Sequence, residues 1–160
     1  VAVDVEDLYR RYGPMVLRRC RQMLSDEQLA LDAMQDTFVQ ILRRRDRLDD
    51  RGLSSLLYLT ATNTCLNRLR SRRRKPQESA GDLLERITST TDETERVQAR
   101  SILARLLGNE PPSTATIAVL HLYDGMTLEE TANAVGLSVS GVRRRLRKLK
   151  GLLQELEDAR

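Results

Sequence analysis

Apolar positions along this chain recur with the period of a helix. In "DVEDLYRRYGPMVLRRCRQML", Leu8, Tyr12, Met15 and Val16 share one side of a 3.6-residue turn. Asp4 stands where an N-cap belongs, with Asp7 three residues on, and Gly13-Pro14 predicts a kink or break. "SDEQLALDAMQDTFVQILRRR" opens with Ser25 and Gln28 at capping-box spacing and carries a stripe of Leu31, Met34, Phe38, Ile41 and Leu42. The charged loop "DRLDDRG" follows. "LSSLLYLTATNTCLNRLRSRRR" then predicts a third helix, stopped by Pro76.

Residues 77–95, "QESAGDLLERITSTTDETE", break the pattern; "TSTTDETE" offers almost nothing apolar to bury and predicts a flexible linker. Helical spacing resumes in "RVQARSILARLLG", closed by Gly108. A turn over Asn109 to Ser113 leads to the helix "TATIAVLHLYDG", closed by Gly125. The most legible stretch comes next. Thr127 and Glu130 form a capping box for "LEETANAV", Gly136 suits a left-handed turn, and Ser138 caps a last helix. That helix keeps Val142, Leu146, Leu149, Leu153 and Leu156 on its inner face. Helix, glycine turn and serine-capped helix make a helix-turn-helix pattern.

Composition sharpens the fold class. Hydrophobic residues make up 40% of the 160, but aromatics only 3% with no Trp, so the core must be aliphatic. No alternating β-branched run occurs, and the expected class is all-α, with two small helical domains joined by a flexible linker. The expected divisions are a first domain at 1–76, an acidic linker at 77–95 and a second domain at 96–160.

The net charge of +4 hides an uneven spread. Residues 1–76 hold 16 basic against 10 acidic residues, 77–95 hold 1 against 6, and 96–160 hold 10 against 7. Two stretches concentrate the positive charge: "RLRSRRRK" from Arg68 to Lys75, and Arg143 to Lys150, each with six cations in eight positions. With Val142, Leu146 and Leu149 turned inward, Ser140, Arg143, Arg144 and Arg147 face outward near the start of the last helix. There Arg can pair bidentately with guanine, and Arg or Lys can neutralise phosphate. A polyanion partner is the expectation.

Other chemistry is sparse. Cys20 and Cys65 stand far apart in the sequence and read as small buried residues. His121, the single histidine, has no ligand cluster at metal spacing, so neither metal nor cofactor is expected. No apolar run reaches a membrane span and no signal-peptide core opens the chain, which predicts a cytoplasmic protein without membrane insertion.

Three stretches in this order resemble the bacterial RNA polymerase sigma factors of the extracytoplasmic-function (ECF) group. "ALDAMQDTF" is similar to that family's Ala-Glu-Asp-x-x-Gln-Asp-x-Phe, with Leu31 in place of the glutamate. "LLYLTATNTCLNRLRSRRR" resembles its Trp-Leu-x-x-Ile-Ala-x-Asn stretch and basic tail, and "MTLEETANAVGLSVSGVRRRL" its helix-turn-helix. The resemblance implies sigma domain two at 1–76 and sigma domain four at 96–160. It implies a non-enzymatic factor that binds core RNA polymerase through the β′ clamp and β flap, directs promoter recognition and initiation, and answers to an anti-sigma factor.

By the same resemblance Asp32, Gln35 and Asp36 would dock on the clamp. Arg47, Arg51, Asn63, Arg68, Arg70, Arg72, Arg73 and Arg74 would meet the −10 element. Thr127, Ser138, Ser140, Arg143, Arg144, Arg147 and Lys148 would meet the −35 element. Leu56, Asn67, Thr116 and Gly141 depart from the family's usual Trp, Asp, Arg and Thr. The first two departures bear on promoter opening, and the last two remove expected phosphate contacts.

Two other readings fit parts of the chain. A helix-turn-helix regulator that never touches polymerase explains the second domain but leaves the first without a task. A DNA recombinase would need a nucleophile ringed by arginines, for which Ser54, Ser55 and Tyr58 are the candidates.

Overall fold

A computed structural model describes residues 4–24, 26–49, 51–71 and 112–158, apart from the side chains of 112, 152, 153, 156 and 157. The expected linker at 77–95, the helix closed by Gly108, Ser25 and Arg72 to Arg74 lie outside the described residues. Every regular element among those described is helical, and the chain divides into two compact units, 1–68 and 69–160.

The first unit is built on α1 (Val5–Met23), α2 (Glu27–Arg43) and α3 (Leu53–Ser71). Asp4 caps α1, its Oδ1 accepting from the Glu6 N–H at 3.0 Å. The break expected at Gly13-Pro14 does not occur: α1 runs through Pro14. Pro14 is exposed while Gly13 is buried, so the ring stands in solvent and the packed face is undisturbed. The cap of α2 is Asp26 and not the capping box expected from Ser25 and Gln28. Asp26 Oδ1 accepts from the N–H groups of Gln28 (2.8 Å) and Leu29 (3.2 Å), satisfying two donors that the helix start leaves open. Gln28 reaches forward instead, donating to Asp32 Oδ1 at 3.1 Å.

The buried face of α2 is Ala30, Ala33, Met34, Thr37, Phe38 and Ile41. It is rotated from the expected stripe: Leu31 is only half-buried and Leu42 is 41% exposed. The two alanines form part of the packed face, and the long side chains at 31 and 42 fall to its margins.

Side-chain pairs set the order of the bundle. Tyr9 and Phe38 rings lie 5.0 Å apart, and Arg21 holds Glu27 through three hydrogen bonds of 2.6–3.1 Å, so α1 and α2 are antiparallel. Gln40 donates to Thr64 Oγ1 at 3.0 Å and Arg68 donates to Asp36, which sets α3 antiparallel to α2. Between α1 and α3 sits a charged side chain that helical periodicity did not single out. Arg19 is 1% exposed, with its Nε–H on Thr62 Oγ1 at 3.0 Å and its guanidinium over the Tyr58 ring at 4.5 Å. Cys20 and Cys65 are both buried, as expected, and their thiols hydrogen-bond each other. The neighbouring thiol and then burial push Cys65 above the usual thiol value.

Three threonines are buried along α3 without polar cost to the core. Thr60, Thr62 and Thr64 each donate to the carbonyl four residues back, at 2.7–2.8 Å.

The second unit holds α4 (Pro112–Ala118), α5 (Leu128–Val135) and α6 (Val139–Asp158). The turn expected as far as Ser113 gives way to helix at Pro112, a residue suited to a first helical position because it has no N–H to leave unpaired. After Ala118 the coil widens into a π turn, Val119–Tyr123, closed by Asp124 N–H on Val119 O at 3.0 Å. His121 secures the exit from this turn, with Nδ1 2.7 Å from the Met126 carbonyl oxygen. Ile117, Ala132 and Val142 form the core, flanked by Leu128, Val135, Leu137, Val139 and Leu146.

Candidate functional site

The helix-turn-helix is built as its residues require. Thr127 Oγ1 accepts from Glu130 N–H at 3.0 Å and Glu130 Oε1 accepts from Thr127 N–H at 3.1 Å, a complete capping box. The backbone bond from Thr127, and then the hydroxyl bond, hold the Glu130 carboxyl below its usual range. Gly136 ends α5 at φ 71°, ψ 29°, in the left-handed region, and Ser138 Oγ accepts from Gly141 N–H at 3.0 Å to start α6. Thr127 and Ser138 therefore act first as caps.

On α6, Val142 and Leu149 are buried, while Ser140, Arg143, Arg144, Arg147 and Lys148 are exposed. These side chains form a cationic face over the first three turns, at the end where the helix dipole is positive. Arg144 and Lys148 line a cavity of about 510 Å³ with Thr114, Leu137, Ser138, Gly141 and Arg145. Arg145 differs from its neighbours. It is half-buried and donates to Ser113 Oγ and, at 3.4 Å, to Thr114 Oγ1, tying α6 to α4. Its inward turn follows from its place between Val142 and Leu149, which the count of cations did not reveal. Thr116 and Gly141 are both buried, so neither position presents a group to a ligand. A Cβ at 141 would meet Ser138 Oγ at 3.3 Å, so glycine there leaves room for the cap.

The first unit sorts its candidates less evenly. Arg47, in a 3₁₀ turn at Arg45–Arg47, and Arg51 are exposed on the loop between α2 and α3; Asn63 is exposed on α3. Arg70 is partly buried, and that burial lowers its pKa. Arg68 is turned to Asp36. Asp32, Gln35 and Asp36 lie along α2 with Val39 and Leu42, at the spacing that keeps one helix face together. Val39 is 43% exposed and Leu42 41%, two large apolar side chains in solvent beside two carboxylates. The stripe assigned to the core in the sequence included Leu42 and omitted Val39. Exposure of Leu42 is what the periodicity alone missed.

A three-helix bundle and a unit carrying a helix-turn-helix with a cationic outer face place the described residues among the all-helical proteins. Comparison with known proteins narrows this. The sequence model of Sigma-70 region 2 matches residues 8–75. The chain is 30% identical to an RNA polymerase sigma-E factor of Streptomyces avermitilis, over 97% of this chain and 86% of that protein. It is 30% identical to RNA polymerase sigma factor YlaC of Bacillus subtilis, over 98% and 96%, and 26% identical to ECF RNA polymerase sigma factor SigM of Mycobacterium tuberculosis, over 94% and 76%. The chain belongs to the RNA polymerase sigma factors of the ECF group.

Proposed function

We propose that this chain is a transcription initiation factor that binds core RNA polymerase and directs it to promoters. The observation that carries this is the reach of the likeness: relatives named RNA polymerase sigma factors match almost its whole length, so both units are accounted for. A free-standing regulator would leave the α2 face of Asp32, Gln35, Asp36, Val39 and Leu42 unexplained. The factor has no catalysis of its own and works by positioning polymerase and DNA.

On this reading the α2 face docks on the β′ clamp, with carboxylates for basic partners and Val39 and Leu42 for apolar ones. Arg47, Arg51, Asn63 and Arg70 meet the −10 element. The outer face of α6 reads the −35 element, with Arg144 at a base edge and Lys148 on phosphate, and the second unit also meets the β flap. An anti-sigma protein would act by covering the α2 face or α6. The two folded units correspond to sigma domains two and four.

Pull-down of core polymerase by the wild-type chain, followed by promoter-directed transcription, tests the reading. Binding is expected, and Asp32→Ala/Gln35→Ala/Asp36→Ala is expected to lose about 2–5 kcal/mol of it. Absence of wild-type binding would sink the proposal.

A further inference from the structure

The antiparallel packing of α2 on α3 produces two matched side-chain rungs. Gln40 meets Thr64, and four residues away on each helix Asp36 meets Arg68. One helical turn separates the rungs, so Arg68 leaves α3 opposite Asp36 because the register puts it there. The Arg68 side chain is 31% exposed and that of Asp36 53%, so the carboxylate is the more accessible member. A guanidinium on one oxygen limits the rotation of a short aspartate side chain and fixes how it faces solvent. Asp36 lies in the same stripe as the exposed Val39 and Leu42, the part of this unit with the chemistry of a protein contact.

Arg68 also belongs to the basic run that reads as a phosphate-binding tail, and the two roles compete. A guanidinium engaged with a carboxylate has part of its charge neutralised, and leaving the pair for a DNA phosphate would release the carboxylate. Arg47 and Arg51 carry no such rung and stand exposed on their loop.

The geometry points to Arg68 as a positioning residue of the polymerase-docking face, holding the Asp36 carboxylate toward a cationic side chain of the partner, and not as a DNA contact. The inference rests on the docking reading of α2. It assigns to polymerase a residue that sequence pattern assigns to the promoter.

A double-mutant cycle with the full chain tests it. Core-polymerase affinity is measured for wild type, Arg68→Ala, Asp36→Asn and the double variant, and the salt dependence of binding to a nonspecific duplex is measured for each. Arg68→Ala is expected to weaken polymerase binding about tenfold, as loss of a charged hydrogen bond does. The double variant should be no weaker than Asp36→Asn, because on this inference the effect of Arg68 on docking runs through that carboxylate. Arg68→Lys, which keeps the charge, should recover much of the loss and guards against an Ala variant that fails to fold. The slope of log affinity against log salt should be unchanged by Arg68→Ala, whereas loss of one phosphate contact lowers it by about 0.9. Wild-type-like polymerase binding by Arg68→Ala, or additive losses in the double variant, overturns the inference and leaves the docking reading standing. No polymerase binding by wild type overturns both.

Discussion

The turn of the helix-turn-helix rests on one backbone conformation, and its contribution can be isolated. Gly136 sits at φ 71°, and a Cβ built on it meets nothing within 4 Å. Gly136→Ala therefore creates no clash and introduces only the intrinsic strain of an L-residue in the left-handed region, about 1–2 kcal/mol. Alanine also restricts the unfolded chain, which offsets about 0.4–1 kcal/mol of that strain. A net loss of about 1 kcal/mol remains, roughly a fivefold change in an opening equilibrium. Asparagine tolerates this region better than alanine, so Gly136→Asn should recover part of the loss. Amide hydrogen exchange in the full chain is the direct assay, read at Ala132 and Val142, which belong to one core and flank the turn. Exchange there should quicken about fivefold in the Ala variant and less in the Asn variant, while amides of α2 stay unchanged. Ala protection equal to wild type would refute the strained-turn argument, and Asn no better than Ala would refute its conformational basis.

Pro14→Ala should stabilise the first unit by about 1–3 kcal/mol, since it restores an N–H to the interior of an unbroken helix at an exposed position; a lower urea midpoint would contradict this. Glu130 predicts a pH dependence. Its carboxyl is lowered in the folded state, so its contribution is complete above the ordinary glutamate value of about 4.3 and is lost as pH falls through the depressed one. Amide protection in α5 should follow that window in wild type and flatten in Glu130→Gln, whose amide oxygen can still accept from Thr127; identical profiles would refute the assignment.

What could be read beforehand, and what could not, divides by the range of the interactions. Thr127, Glu130, Gly136 and Ser138 make bonds within a few residues of themselves, so the chain order displays them directly. Arg19, Arg68 and Arg145 look like other arginines in sequence. Each is distinguished by a partner 31 to 43 residues away, which no local period reveals. The α2 stripe was legible as helix, but its facing was misjudged. Ala30 and Ala33 carry little weight in a hydrophobic pattern, yet they lie in the packed face and Leu42 does not. Pro14 misled for a related reason: its rule concerns the lone helix, whereas packing on both sides of it holds α1 together.

The two rungs between α2 and α3 have an evolutionary consequence. Gln40 with Thr64 and Asp36 with Arg68 set the alignment of these helices from within their own lengths, without help from the chain that joins them. The 3₁₀ turn at Arg45–Arg47 buries none of its residues. Substitutions, and small changes of length, can accumulate there while the scaffold keeps its alignment. Descendants of such a chain can change that loop one residue at a time, each step starting from an intact fold.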